Sequence, residues 1–313
     1  LSFQGFIVLF GVGSLSKIAI DEITFFKRKE QMMQNSVLTK LKQAGFSAEL
    51  IDFLLQFYIG AVNVYGIISL DDLYDLFQKI KEHNAAYPEI TSEQFISFGE
   101  LTGGQSGTHY LVYNPAVFDK YSKQVDNPLT SPLLVNKKVT WTEINIQQIW
   151  NLYLEICQEC GRLYLTPENL LDYATHEENE DEKNFRQALS ELKLDGKKLD
   201  KVASRIIPGD TAVNEIIDLV TYIYQSGTGV LYDAENELQF AFEYYKLKLS
   251  QREFKEMSML MKQAVYEQPC WGLGGRSYVE VKGYDTGDDF DETFYDEDDD
   301  DFFDWEDDEG LLE

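Results

Sequence analysis

The chain is short of cysteine, histidine and proline, with 3, 3 and 7 among 313 residues, and short of cations, with 27 Lys and Arg against 55 Asp and Glu. Each shortage excludes something. Cys157, Cys160 and Cys270 are an odd number and cannot staple a disulfide framework, so a reducing, cytoplasmic compartment is expected. A formal charge of −28 argues against nucleic-acid binding by counterion release, which needs clustered Lys and Arg over phosphates, and against docking on anionic lipid. The apolar run from Phe6 to Leu15 is ten residues long, half of the ~20 that span a bilayer. No basic stretch precedes it and no small-residue cleavage site follows, so it does not read as a signal peptide, and no membrane association is expected.

What is present builds a core. Hydrophobic residues make up 44% and aromatics 14%, enough for a globular body of one large or two small domains. The charge is unevenly placed. From Asp285 to Glu313 there are 12 Asp and 5 Glu with no Lys or Arg, which takes 17 of the 28 net negatives and leaves the remainder at −11. The chain does not begin with Met, and Met32 and Met33 follow the run Lys27-Arg-Lys-Glu-Gln31, whose codons suit a purine-rich ribosome-binding site. Residues 1–31 are therefore expected to be upstream read-through or a disordered N-terminus, with translation starting at Met32 or Met33.

From Asn35 the pattern turns helical. Val37, Leu38, Leu41 and Ala44 share a face, and Gly45 fits a C-terminal cap. A second helix over about 48–65 carries Leu50, Ile51, Leu54, Phe57, Tyr58, Ala61 and Val62 on its apolar side and ends at Gly66. Ile67-Ile68 is one extended step. Ser69 is a good N-cap for 70–80, and Thr91-Ser-Glu-Gln94 is a capping box for a helix through Leu101. His109 to Tyr113 reads as a strand. Helix, strand step, helix, helix, turn, strand is the order of a winged helix, so a winged-helix-like unit with a small β element is expected over 34–125. Its groove-entering helix would carry Glu93 and Glu100 and no Lys or Arg, which favours a protein-interaction or structural module over base readout.

Asp126-Asn-Pro-Leu-Thr-Ser-Pro132 reads as a linker, and Lys137 to Trp141 as an extended stretch. An α-helical domain over 133–284 is expected beyond it, with helices from Thr142 to Gly161, after Thr166-Pro167, around Phe185 to Leu192, and over 213–224, 235–249 and 250–266. The fold class is thus mainly α.

Little in the chain carries chemistry. Cys157-Gln-Glu-Cys160 is the one spacing that suggests metal or redox work. Zinc needs four ligands, and Cys270 with His83, His109 or His176 is distant in sequence; two cysteines one helical turn apart are the expectation. Gly272-Leu-Gly-Gly-Arg276 lacks the Lys-Ser/Thr ending and preceding strand of a phosphate loop. No nucleophile stands with its base, so no catalytic residue, metal or cofactor is assigned. The last stretch, 285–313, is the distinctive one. Phe290, Phe294, Tyr295, Phe302, Phe303 and Trp305 alternate with carboxylates whose repulsion forbids a packed core, so a disordered tail is expected. Solubility alone needs no aromatics. Phe294, Tyr295, Phe302, Phe303 and Trp305 are therefore the expected contacts of a tail that docks a protein partner of unknown identity.

Residues 61–78, Ala-Val-Asn-Val-Tyr-Gly-Ile-Ile-Ser-Leu-Asp-Asp-Leu-Tyr-Asp-Leu-Phe-Gln, resemble the N-terminal signature of uncharacterised proteins of Gram-positive bacteria, some of which carry a C-terminal SEC-C zinc motif. Tyr164-Leu-Thr-Pro167 with Leu170-Leu-Asp-Tyr173 is similar to a further segment of that family. Glu267-Gln-Pro-Cys-Trp271 with Gly275, Ser277 and Glu280 looks like a degraded form of its closing motif. The cysteine-rich ending is missing, and the acidic stretch stands in its place. The resemblance implies an architecture and a bacterial cytoplasmic origin, and no activity.

Overall fold

The computed structural model describes residues 36–104, 108–122, 129–140, 145–175, 178–192, 209–226, 231–245, 247 and 249–282. Residues 1–31 and 285–313, with the readings placed on them, lie outside this set. The described chain is mainly helical, with one small three-stranded sheet.

Helix α1 (Ser36–Gln43) leads through Gly45, at φ +90°, into α2 (Ala48–Tyr65). Ser47 caps α2 by accepting the amide of Leu50 at 3.2 Å. The C-terminal half of α2 is buried on nearly every side, from Phe57 through Tyr65, so its apolar surface is wider than one stripe. Gly66 ends it with φ +65°, its amide bonded back to the carbonyl of Val62. Strand β1 (Ile67–Ser69) runs directly into α3 (Leu70–His83), where Ser69 accepts the amide of Asp72. Leu70, Leu73, Leu76, Phe77 and Ile80 form its buried face. The capping box expected at Thr91 opens α4 (Ser92–Thr102), with both of its reciprocal hydrogen bonds present. Rings from these helices and from the α3–α4 connection interlock edge to face: Phe57 meets Phe77 at 5.3 Å, and Phe53 meets Tyr87 at 5.0 Å.

Strand β2 (Tyr110–Tyr113) is followed by a 3-10 turn (Pro115–Val117) and the short α5 (Asp119–Ser122). Strand β3 (Leu133–Asn136) then enters the sheet between the other two, antiparallel to both, giving the order β1-β3-β2. Ile68 faces Leu134, and Leu111 faces Val135. The boundary expected at 126–132 therefore falls inside the fold: a central strand cannot belong to a separate domain from the strands it pairs with. Alternation along the strands sends Ile68, Tyr110 and Leu134 into the core of α1 to α4, and Ile67, Leu133 and Val135 into a second core on the other face.

That second face is covered by α6 (Ile146–Cys160), through Ile149, Trp150, Tyr153 and Ile156. The helix is described from Ile146, capped by Asn145 with Gln148; Thr142 and Ile144 are outside the described residues. Lys137–Thr140 closes into a 3-10 turn where an extended stretch was expected, since Asn136 folds back and its side chain accepts the amide of Lys138 at 2.9 Å. After Thr166-Pro167, only a 3-10 turn (Leu170–Tyr173) forms, capped by Asn169.

The remaining helices bury a third core. Helix α7 (Glu180–Glu191) starts within the acidic connector, on a capping box of Asn179 and Glu182. It packs on α10 (Gln251–Tyr266), while α8 (Gly209–Ser226) packs on α9 (Leu231–Tyr244) and on α7. Phe185, Leu189, Val220, Leu238 and Met261 fill the space between them. A 3-10 turn (Trp271–Leu273) and α11 (Tyr278–Lys282) follow. Among the described residues no single helix is long and apolar enough to cross a membrane; α1 and α2 pass that test only as a pair, bent by 115°.

Candidate functional site

Three segments distant in sequence meet at the C-terminal end of α2: that end itself, residues 163–173, and the turn from Cys270 to Glu280. Trp271 is fully buried, and its indole N–H donates to the carbonyl of Asn63 at 3.3 Å. Its ring lies flat against the backbone at Gly66, where a Cβ would sit 2.1 Å from Cδ2 of the indole. Gly275 makes the reciprocal approach, with a Cβ there falling 2.4 Å from Cγ1 of Val64. The Gly-rich turn thus serves helix contact. Asn63 donates to the carbonyl of Tyr173 at 2.9 Å and Tyr65 to that of Leu165 at 2.7 Å, while the amide of Leu165 donates to Gly274 at 2.8 Å. Arg276 donates to the carbonyl of Leu163 at 2.5 Å.

A cleft of about 240 Å³ opens beside this seam, lined among others by Leu165, Tyr173, Pro269, Gly275, Ser277 and Glu280. Its volume is below the ~300 Å³ of small drug-sized pockets. Ser277 and Glu280 are occupied in a capping box at the start of α11: the amide of Ser277 donates to Glu280 at 2.7 Å, and that of Glu280 to the serine hydroxyl. Burial raises the phenol of Tyr173, with the Glu280 and Asp172 carboxylates acting in the same direction. Tyr164, Tyr173, Trp271, Gly275, Ser277 and Glu280, quoted above for their likeness to a family, are all in or next to this seam.

The other concentration of polar chemistry lies at the C-terminal end of α6. Cys157 and Cys160 are both half-buried, one turn apart. The hydroxyl of Tyr164 is 4.0 Å from the Cys157 sulfur, and the Tyr153 phenol and the Arg162 guanidinium are its neighbours. Burial pushes the phenols of Tyr153 and Tyr164 up, and neighbouring Cys157 adds to both; burial also raises the thiol of Cys160. Burial works against the charge of Arg162, but Tyr153, Cys157 and Asp72 together raise it. Arg162 is the one non-glycine with positive φ among the described residues, at +57°.

The remaining candidates are scattered. Cys270 is fully buried in the helical core, its thiol donating to the carbonyl of Tyr224 at 3.6 Å. Among the described residues no group of three or more His, Cys, Asp and Glu could hold a metal ion. His83 ends α3, His109 precedes β2, and His176 is outside the described residues. Phe294, Tyr295, Phe302, Phe303 and Trp305 are also outside them. The ring of donors around Cys157 escaped the sequence reading, although Arg162 and Tyr164 stand within four residues of the pair. Tyr153 is visible only as the preceding turn of one helix. No protein-family model, curated protein or solved structure matches the chain.

Proposed function

We propose that the protein is a non-enzymatic interaction or adaptor protein that docks a protein partner through its acidic-aromatic C-terminal stretch. Phe294, Tyr295, Phe302, Phe303 and Trp305 are the contacts, with Phe302, Phe303 and Trp305 as anchors. The observation that carries this reading is the alternation of aromatics with 17 carboxylates and no cation over 285–313. Carboxylates keep the rings in water and match a groove with basic edges, while the rings supply the apolar contact that dominates small interfaces. The body is read as a winged-helix-like unit, because α2, β1, α3, α4, β2 and β3 follow the order of that motif. On it, the exposed positions of α4 include Glu93 and Glu100 and no Lys or Arg, and α6 covers the outer face of the sheet. Both features suit a scaffold that presents a docking stretch. The sequence resemblance is read as shared architecture with the Gram-positive family, in a bacterial cytoplasm.

The test compares proteins captured from a nuclease-treated Gram-positive lysate by the full chain, by residues 1–284, and by the F302A/F303A/W305A variant. A partner held by the full chain and lost from both others is expected. Three identical sets of captured proteins defeat the proposal.

The winged-helix order favours a second reading, a DNA-associated regulator whose acidic stretch competes with DNA for the body. It needs a basic patch from Lys137, Lys138, Lys197, Lys198 and Lys201. Lys138 sits 3.5 Å from Asp218, and the last three lie outside the described residues. Residues 1–284 showing no salt-sensitive DNA binding would remove this reading.

A further inference from the structure

We propose that Cys157 and Cys160 form a peroxide-sensitive dithiol, in which Cys157 is oxidised first and Cys160 resolves it to a reversible disulfide within α6. The two sulfurs differ in their surroundings, and both differ from Cys270. Three groups able to donate a hydrogen bond converge on Cys157: the phenols of Tyr153 and Tyr164 and the guanidinium of Arg162. A neutral structural thiol needs only weak backbone partners, as Cys270 has in the carbonyls of Tyr224 and Gln225. Three donors, one of them cationic, suit the partly anionic oxygen and sulfur of a sulfenic acid and of the transition state leading to it.

Arg162 is placed for this at a conformational cost. The left-handed conformation is unfavourable for a non-glycine residue, and here it follows Gly161, itself left-handed at φ +58°. Just past this double reversal, the guanidinium is a neighbour of the Cys157 sulfur. A positive group at a helix C-terminus also offsets the negative end of the dipole, but the dipole alone does not require a place beside the sulfur. Both cysteines are reachable: each is half-buried, and the neighbouring Leu163 is 70% exposed.

The resolving step is open to Cys160. Residues three apart in an α-helix have Cα atoms about 5 Å apart, inside the ~4.4–6.8 Å that a disulfide bridges. Cys160 is the last residue of α6, next to its glycine cap, where the helix yields most easily. In the first step the Cys157 thiol attacks one oxygen of hydrogen peroxide. The O–O bond breaks, a C–S–OH group forms and one water leaves. In the second step the Cys160 thiol attacks the Cys157 sulfur, the S–O bond breaks, the S–S bond forms and a second water leaves. Each sulfur loses one electron overall, and the peroxide takes both.

The experiment uses the purified full chain, hydrogen peroxide, and dimedone as the sulfenic-acid trap. Trypsin releases both cysteines in one peptide, 139–162, since no Lys or Arg lies between Lys138 and Arg162. Peroxide should make this peptide lighter by two hydrogens, and dithiothreitol should restore it. In C160S, dimedone should mark Cys157; in C157S, Cys160 should stay unmarked. R162Q should slow the marking of Cys157 by about tenfold, because it removes the cation beside the sulfur. The wild-type chain in urea supplies a control that needs no variant, and its Cys157 should react at least about tenfold more slowly than in the native chain. Equal native and denatured rates overturn the proposal. So does first reaction at Cys160 or Cys270, or a disulfide between two chains.

Discussion

Replacing Gly66 by alanine tests the contact on which the three segments converge. Gly66 has φ +65° and ψ −61°, close to a strained γ-turn that side chains avoid. Adopting it costs an L-residue roughly 1–2 kcal/mol. The new methyl would also lie 2.1, 2.5 and 2.5 Å from three atoms of the Trp271 ring. The neighbours of that ring are fixed: Tyr222 packs on it edge to face at 6.0 Å, and the indole N–H is held by Asn63. Overpacking of this kind adds about 1–3 kcal/mol. Gly66→Ala should therefore cost about 2–5 kcal/mol, a large part of the ~5–15 kcal/mol that holds a typical protein folded. Trp271→Ala, which empties a fully buried site, should cost about 3–5 kcal/mol. In the Trp271→Ala background the methyl has no ring to meet, so Gly66→Ala should cost only the backbone strain. The cycle should then show a coupling of about 1–3 kcal/mol. Urea unfolding followed by far-ultraviolet circular dichroism measures all four proteins. An equal cost for Gly66→Ala in both backgrounds would falsify the contact.

Other expectations follow from single side chains. Asn136 is buried, donates to the carbonyl of Val62 at 3.0 Å and accepts the amide of Lys138, so Asn136→Ala should lower stability by about 2–4 kcal/mol in the same urea assay. Thr91→Ala removes the cap of α4 and should cost about 1 kcal/mol, with Thr91→Ser recovering most of it. Burial raises the phenols of Tyr58, Tyr65, Tyr110 and Tyr224. A phenol with a raised folded pKa loses its proton first in the unfolded chain, so its contribution is whole below the ordinary value of 10.0 and is lost as pH climbs beyond it. Thermal unfolding should thus shift downward above about pH 10, and tyrosine ionisation followed by ultraviolet absorbance should coincide with unfolding. Smooth ionisation of all tyrosines in a folded chain would contradict this.

Local signals carried much of the helical order. Ser47, Ser69, Thr91 and Ser250 each cap a helix, and each is a side chain acting on an amide three residues away, which sequence spacing alone specifies. The apolar faces of α2 and α3 were legible for a similar reason, because helical periodicity is a local property. The imbalance of charge and the aromatic-acidic alternation over 285–313 are matters of composition alone.

Tertiary structure decided what depends on partners far away. Pro128 and Pro132 made 126–132 look like a linker, yet Leu133–Asn136 is the central strand, because its hydrogen bonds go to residues 67–69 and 110–113 and no local pattern names them. Thr166-Pro167 has the form of a helix start, but only a 3-10 turn follows, fastened by the Tyr87 hydroxyl, which receives the amide of Leu170 at 3.0 Å across the fold. Gly66 was legible as a helix end, but nothing in one dimension showed the close approaches made at Gly66 and Gly275. Their need for bare backbone exists only once Trp271 and Val64 arrive against them. The groups around Cys157 were assembled in the same way: Arg162 and Tyr164 were near in sequence, but only the fold makes both of them neighbours of one sulfur.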